Sequence, residues 1–292
     1  MKFQLSSLLS AAALCASLTS PAISMAQGTW DFGGNTCNPG GSPSVASCGV
    51  GSVTANISAW GYTTSGAGFV QGNLGEFDPS GFGAYTGINE TGTGSQHAFD
   101  NLTTGCGTTS LSGNSGLATG NSGCGGNVEA MLLNFGTAKV NLSQVKIGYF
   151  AGDADLSVYR WDGAVGGPTM GTTVATVGTG ALSGWTLVSS NDMDVTNPFN
   201  VGGLQYSSYF LVTTYFGAST GNLDNNNDAF KILNVTANTC TGTLTGGTGS
   251  AGGNGASCTP PSNGQTPEPA SLALVGVALL GATAVRRRIK SA

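Results

Sequence analysis

The chain has 292 residues, of which only 8% are charged and 49 are glycine, so its composition is unlike that of a cytosolic enzyme and suits a turn-rich exported domain. Over residues 27–266, four basic residues stand against thirteen acidic ones, which gives a formal charge of −9. A body this acidic, without clustered lysine and arginine, argues against nucleic acid as a partner, because binding to phosphates depends on such clusters.

The N-terminus has the pattern of a secretory signal peptide. A positively charged start precedes the apolar run Leu5–Leu18, and the small residues Ser24 and Ala26 stand at the −3 and −1 positions of a cleavage site. We therefore expect a signal helix within residues 1–26 and cleavage between Ala26 and Gln27.

Six cysteines remain once the signal peptide is removed. An even number in an exported chain indicates disulfide bonds, although the sequence does not choose among the fifteen ways of pairing six cysteines. Each consecutive pair brackets a flexible segment rich in small and polar residues. We predict three local disulfides on this ground: Cys37–Cys48, Cys106–Cys124 and Cys240–Cys258. A zinc site is disfavoured, because the chain has no CxxC motif and His97 is its only histidine.

Short runs of β-branched and aromatic residues, separated by turn residues, predict β-strands throughout the body. The predicted strands are Val53–Trp60, Gly68–Gln71, Val128–Phe135, Val145–Phe150, Leu156–Trp161, Thr173–Val177, Trp185–Ser189, Tyr206–Phe216 and Phe230–Thr236. Tyr206–Phe216 is apolar on both alternating faces, which predicts a central strand covered on both sides. We therefore expect an all-β ectodomain over residues 27–238, an antiparallel β-sandwich of jelly-roll type with long disulfide-stapled loops.

The C-terminal part has two segments of different composition. Residues 239–266 are rich in glycine, serine, threonine and proline and are predicted to be a linker or stalk. Beyond them, the uncharged run 270–285 predicts a transmembrane helix of roughly 24 Å, a little short of a hydrocarbon core of about 30 Å. A basic cluster follows and holds this end in the cytoplasm by the positive-inside rule: Arg286, Arg287, Arg288 and Lys290.

The motif Pro267-Glu268-Pro269, the apolar run and the basic cluster over residues 267–292 together resemble the PEP-CTERM sorting signal of Gram-negative bacteria. The resemblance implies that an exosortase, a membrane cysteine transpeptidase, recognises the tail and cleaves near the Pro-Glu-Pro. It further implies a transient anchor in the inner membrane and a final place at the cell surface or in the extracellular matrix, with exopolysaccharide and biofilm.

Scattered segments of the body are similar to recurring elements of exosortase-dependent surface proteins. They are His97–Asn101, Val145–Phe150, Asp153–Trp161 and Gly184-Trp185. This resemblance implies a β-sandwich ectodomain and names no activity.

Motifs that could support catalysis are weak. Gly217–Gly221 matches GxSxG, but the residues after it are unsuited to the helix that a nucleophile elbow requires. The pairs Asp153/Asp155 and Asp192/Asp194 suit glycoside hydrolysis by residue type alone. We therefore expect no enzymatic activity.

Residues Asp224, Asn226 and Asp228 place oxygen ligands at alternate positions, as at the start of a calcium loop. The pattern then fails, because Ala229 stands where the loop needs glycine and Val235 where it needs glutamate. A calcium site of another kind, shared with Asp153 or Asp155, and an Asx-rich turn between two strands remain as alternatives.

The sequence as a whole predicts a structural or adhesive surface protein, with an exosortase and exopolysaccharide as partners. No cofactor is expected, with a structural calcium ion as the alternative. A carbohydrate-binding or glycoside-hydrolysing module is the second hypothesis and requires an exposed tryptophan beside two carboxylates. An ice-binding protein is the third, and the regular threonine ladder that it requires is not visible.

Overall fold

A computed structural model of the chain describes residues 26–34, 37, 44–63, 68–85, 98–100, 127–150, 153–163, 166–203, 205–224, 228–248 and 254–259. Nearly all of the regular structure in these ranges is β-strand, with a 3-10 turn at Met170–Thr172. No helix in this part of the chain is long and apolar enough to cross a membrane. The predicted transmembrane helix at 270–285 and the signal peptide before Ala26 lie outside the described residues.

Seven antiparallel strands form the first large sheet. They are β1 (Ala26–Asp31), β5 (Asn73–Phe77), β6 (Gly81–Tyr85), β7 (Phe99–Asp100), β9 (Val140–Phe150), β14 (Phe199–Asn200) and β17 (Ala229–Thr239). Their spatial order is β14-β9-β17-β6-β5, and β1 and β7 also pair with β17. The long strand β17 is therefore the centre of this sheet.

Seven further strands form the second large sheet. They are β2 (Ala46–Val50), β3 (Val53–Thr63), β4 (Val70–Gln71), β8 (Asn127–Asn134), β10 (Asp155–Trp161), β13 (Trp185–Asp192) and β16 (Tyr209–Thr214). Their order is β13-β10-β16-β8-β3-β2, and β4 pairs with β3.

Two small antiparallel sheets complete the described strands. One joins β11 (Ala175–Thr176) to β12 (Ala181–Leu182). The other has the order β15-β19-β18 and contains β15 (Gln205–Tyr206), β18 (Thr243–Thr245) and β19 (Ala256–Thr259).

Both large sheets contribute to one buried apolar cluster. Trp30 and Ile232 come from the first sheet, and Met131 and Val212 come from the second, all of them at most 1% exposed. Side chains of a strand alternate between its two faces, so this cluster takes alternate residues of β8, β10 and β16. Removing these large side chains from water is the main favourable contribution to the stability of the fold.

Strand β16 confirms the prediction of a central strand with two buried faces. It lies between β10 and β8, and its side chains are buried at every position after Tyr209. Phe210 and Val212 belong to the cluster between the large sheets, whereas Leu211 belongs to a second cluster that includes Met170 and Leu182. The all-β, antiparallel character that the sequence predicts is confirmed, and the jelly-roll topology stays a prediction.

The predicted linker at 239–266 contains ordered structure that the prediction did not include. Strands β18 and β19 lie within it, and β19 pairs with β15. The predicted disulfide Cys240–Cys258 is present, with the two Cα atoms 5.7 Å apart. This bond closes a short loop, which orders a segment whose composition alone favours flexibility.

The predicted disulfide Cys37–Cys48 is also present, with Cα atoms 4.8 Å apart, and both residues are buried in the main cluster. Cys106 and Cys124 lie outside the described residues, so their pairing stays a prediction.

Candidate metal centre

Six aspartates act on one another electrostatically where the two large sheets meet. They are Asp153, Asp155, Asp192, Asp194, Asp224 and Asp228. These six are nearly half of the thirteen acidic residues in the exported part of the chain. Such a concentration of like charge is unfavourable unless protons or a cation reduce it.

Strand pairing brings these acids together from distant parts of the sequence. Asp155 is the first residue of β10, and its partner across the ladder is Asp192, the last residue of β13. Asp228 directly precedes β17 and forms an isolated parallel bridge with Asp153. Since β16 lies in the second sheet and β17 in the first, the cluster sits where the chain passes from one sheet to the other.

Backbone amides hold three of the carboxylates in place. The amide of Asp155 donates to Oδ1 of Asp228 at 2.6 Å. The amide of Asp224 donates to Oδ2 of Asp155 at 2.6 Å, and the amide of Ala154 donates to Oδ1 of Asp153 at 2.8 Å. The backbone of Ala229 also donates to the carbonyl oxygen of Asp153, at 3.1 Å, which ties β17 to the start of β10.

Burial differs sharply within the cluster. Asp155 and Asp228 are both 0% exposed, whereas Asp153 is half-buried and Asp194 is exposed. The Oδ1 atom of Asp155 is buried and accepts no hydrogen bond within the described structure. A buried polar atom without a partner is rare in folded proteins and indicates a group that the polypeptide alone does not satisfy.

The carboxylate oxygens are spaced as metal ligands are. One oxygen from each of Asp153, Asp155 and Asp228 lies within 4.8 Å of the other two. A second set with the same spacing consists of Asp153, Asp192 and Asp194, so that Asp153 belongs to both. The set with the buried residues Asp155 and Asp228 is called the inner set, and the other the outer set. Oxygen ligands of this kind suit hard cations such as Ca²⁺ and Mg²⁺.

The acids of the inner set are protonated more readily than ordinary carboxylic acids. Burial first, and then repulsion from the neighbouring acids Asp153, Asp192 and Asp224, raise the pKa of Asp155 to about 8, although the backbone hydrogen bond from Asp224 acts in the opposite direction. Complete burial, followed by repulsion from Asp155, likewise holds the pKa of Asp228 well above its usual range. A bound divalent cation would reverse this balance and favour the charged carboxylates.

The outer acids share this tendency. The pKa of Asp194 is raised, first by a hydrogen bond with the side chain of Asp192 and then by burial. Burial is also the main cause that raises the pKa of Asp153.

The calcium ligands predicted from the sequence agree only in part with the carboxylates that the structure brings together. Asp228 is one of the three inner ligands, whereas Asp224 contributes its backbone amide and its carboxylate is in neither ligand set. Asn226 lies outside the described residues. Asp153 and Asp155, which the sequence offered as a carboxylate pair, supply the other two inner ligands. The sequence signal for them is the D-x-D pattern at the start of β10, repeated at the end of β13.

The tryptophans do not form an exposed sugar-binding surface in the described structure. Trp30 is 1% exposed and Trp185 is 8% exposed. Trp60 and Trp161 are half-buried and pack against the second apolar cluster. Trp161 and Trp185 meet edge to face, with ring centroids 5.4 Å apart.

The remaining predicted residues lie outside the described part of the chain: His97, Pro267, Glu268, Pro269, Arg286, Arg287 and Arg288. Residues 265–288 match the family model described as the PEP-CTERM protein-sorting motif. No curated protein and no solved structure gave a significant match to the chain. The matched span begins just before Pro267 and ends at Arg288, so it contains Pro267-Glu268-Pro269, the apolar run and the three arginines. The chain therefore carries a PEP-CTERM sorting motif at its C-terminus, and the motif implies an exported, membrane-anchored precursor that an exosortase processes.

Proposed function

We propose that the protein has a structural or adhesive, non-enzymatic role at the surface or in the extracellular matrix of a Gram-negative bacterium, where it contacts exopolysaccharide. The observation that carries this proposal is the sorting motif at residues 265–288, because it implies an exported precursor that an exosortase processes. The chain is anchored only for the time that the exosortase needs to cut it.

The body has properties suited to such a role. Two seven-stranded sheets share one buried core, and we infer that they form a jelly-roll-like sandwich. Two disulfides, Cys37–Cys48 and Cys240–Cys258, close local loops and favour persistence in an oxidising environment. Only 8% of the residues are charged, and serine, threonine and asparagine are frequent, so the chain offers many uncharged hydroxyl and amide groups for contact with polysaccharide.

The alternative of a carbohydrate-active enzyme has less support. Asp155 and Asp228 are fully buried, so a glycosidic bond in a cleft does not reach them. A glycosidase also needs its two acids on either side of the bond that it cleaves. None of the four tryptophans, all within the described residues, is exposed beside this cluster.

The processing step is tested by intact mass. The chain is expressed in its host with and without a working exosortase, and the mature protein is weighed with and without reduction. We expect a product that begins at Gln27 and lacks Arg286–Ala292 in the first strain, and a membrane-bound product that keeps this tail in the second. A mature surface form with Arg286–Ala292 intact would contradict processing.

The role of the body is tested separately. A strain that lacks the protein should form a biofilm with less retained matrix, and the purified protein should sediment with exopolysaccharide from the same strain. The same samples are assayed for released reducing sugars. Release of sugar ends would support a glycoside hydrolase and overturn the non-enzymatic role, and unchanged biofilm together with no sedimentation would overturn the adhesive role.

A further inference from the structure

We propose that Asp153, Asp155 and Asp228 bind a calcium ion, which joins the two large sheets at the point where the chain passes between them. The inner ligand set places one carboxylate oxygen from each residue within 4.8 Å of the other two. Two oxygens on opposite sides of a calcium ion, each bonded at about 2.4 Å, are separated by about this distance. The three acids are therefore close enough to share one ion.

The unpartnered oxygen of Asp155 is the second, independent observation. Its Oδ1 atom is shielded from solvent, and no protein donor reaches it in the described structure. Protonation does not resolve this, because a hydroxyl at Oδ1 would then itself need an acceptor. The other oxygen of the same carboxylate already accepts from the amide of Asp224. A cation between the three acids gives Oδ1 the partner that the polypeptide does not provide.

The backbone fixes the ligands before any ion arrives. Each of the three carboxylates has one oxygen that accepts from a main-chain amide: Asp153 from Ala154, Asp155 from Asp224 and Asp228 from Asp155. These side chains therefore lose little additional freedom when an ion binds, which favours affinity. An acidic turn on the surface lacks this support, because its side chains are free to separate and be hydrated.

The ligand chemistry favours calcium among the biological cations. Asp153, Asp155 and Asp228 offer oxygen only, whereas zinc and copper prefer the nitrogen and sulfur of histidine and cysteine. Calcium accepts six to eight oxygens, including water, in flexible geometry, and magnesium demands a tighter, near-octahedral shell at about 2.1 Å. Asp153 is half-buried, so water can complete the shell on that side.

The ion would stabilise the contact between the two large sheets. Asp155 begins β10 in the second sheet, and Asp228 immediately precedes β17 in the first. A calcium ion would replace mutual repulsion of the carboxylates by attraction to a common charge, and would hold the starts of both strands. This inference does not rest on the adhesive role or on processing by an exosortase, and its test uses a different measurement.

The test measures the thermal midpoint of the exported, purified protein after treatment with a chelator. Calcium or magnesium is then added up to about 10 mM, which is ten times the weakest dissociation constant usual for extracellular calcium modules. We expect the midpoint to rise by about 5–10 °C when free calcium is 100-fold above its dissociation constant. Magnesium at the same concentration should raise it much less.

Three isosteric variants show where the ion binds. Asp155→Asn and Asp228→Asn should lose most of the calcium-dependent rise, whereas Asp194→Asn, at the exposed end of the neighbouring set, should keep it. Without calcium, Asp155→Asn should melt no lower than the parent, because asparagine is uncharged and keeps an oxygen that accepts from the amide of Asp224. A residue needed only for packing would lower the midpoint equally with and without calcium.

Several results would overturn the proposal. One is an unchanged midpoint of the parent protein at about 10 mM calcium together with no heat of binding in titration calorimetry. Another is a full calcium response in Asp155→Asn, and a third is an equal response to magnesium. If both inner variants fail to fold, calorimetry on the parent still decides the question.

Discussion

The backbone amide of Asp155 donates a hydrogen bond of 2.6 Å to the carboxylate of Asp228, which lies 73 residues further along the chain. Both residues are fully buried, so water does not substitute for either partner. This bond fastens the start of β10 to the residue that precedes β17, and it does so with or without a bound ion.

We predict that Asp228→Ala is less stable than Asp228→Asn in calcium-free buffer. Alanine leaves the buried amide of Asp155 without its acceptor, whereas asparagine keeps an oxygen at the same place. An unsatisfied buried group costs about 1–3 kcal/mol, so the free energies of unfolding should differ by that amount. Urea denaturation of the two variants measures the difference, and equal midpoints would show that the hydrogen bond contributes nothing.

Close packing of two backbone segments at Gly148 gives a second prediction. A Cβ atom at this position would lie 2.5 Å from the carbonyl oxygen of Ser80 and 3.1 Å from the Cβ of Leu233. Gly148→Ala therefore forces the first sheet apart locally, and we expect it to lower the free energy of unfolding by about 1–3 kcal/mol.

Gly49→Ala is the matched control, because a Cβ there has nothing within 4 Å and the position is also in a strand. It should change the free energy of unfolding by less than about 0.5 kcal/mol. If both variants melt alike, steric exclusion at Gly148 is not what selects glycine.

Asn254 provides a third prediction, on the segment after β18. The residue is 2% exposed, and its Oδ1 accepts from Nζ of Lys139 at 2.7 Å and from the amide of Ser208 at 3.1 Å. Asn254→Ala leaves these two donors without an acceptor, so we expect the free energy of unfolding to fall by about 1–3 kcal/mol. Asn73→Ala, at an exposed position of β5, should be nearly neutral.

Hydrogen exchange identifies which strands Asn254→Ala destabilises. Faster exchange in β18 and β19 than in β16 would indicate that Asn254 holds the small sheet against the body. Uniformly faster exchange, or none, would contradict that role.

Much of the fold follows from local sequence, as β16 illustrates. Alternation of Phe210, Leu211 and Val212 predicts a strand with two apolar faces, and the strand is buried on both. Strands β5 and β6 were missed, because Leu74 and Phe82 stand among glycines and polar residues and carry little local signal. Strand β5 pairs with β6, and the pairing of β6 with β17 places both strands in the sheet. Such a long-range contact cannot be predicted from a short stretch of sequence.

The acidic cluster, like the fold, could be predicted from the sequence only in part. The D-x-D spacing is a local pattern, so the sequence alone identified the pairs Asp153/Asp155 and Asp192/Asp194 as candidates. Their meeting with Asp228 depends on the register of β10 against β13 and on the bridge to β17. Register is set by the burial of whole strand faces, so no local pattern reveals which acids share a site.

The pH dependence of stability should report on Lys231. Its ammonium group lies 3.7 Å from the ring centre of Phe77 and 4.8 Å from that of Tyr149, and the residue is only 4% exposed. Burial lowers the pKa of Lys231. Between this lowered pKa and about 10.4, the usual pKa of lysine, the unfolded state binds more protons than the folded state. The free energy of unfolding therefore gains a contribution from Lys231 that rises with pH in this window.

Lys231→Arg serves as the comparison, because arginine stays charged over the whole range. We expect the parent to gain stability relative to Lys231→Arg as the pH rises from the lowered pKa of Lys231 to about 10.4. Denaturation midpoints of both proteins at a series of pH values measure this, and parallel curves would show that the buried ammonium does not titrate there.

Strand β1 begins at Ala26 and pairs with the far end of β17, with Ala26 opposite Thr239. The hydroxyl of Thr239 donates to the carbonyl oxygen of Ala26, and Trp30 from the same strand is buried in the core. The predicted cleavage between Ala26 and Gln27 would require this strand in an extended, unpaired form, so it would have to occur before the strand docks. Folding would then have a fixed order of events, in which leader removal comes first and the N-terminal strand closes the sheet only on the far side of the membrane.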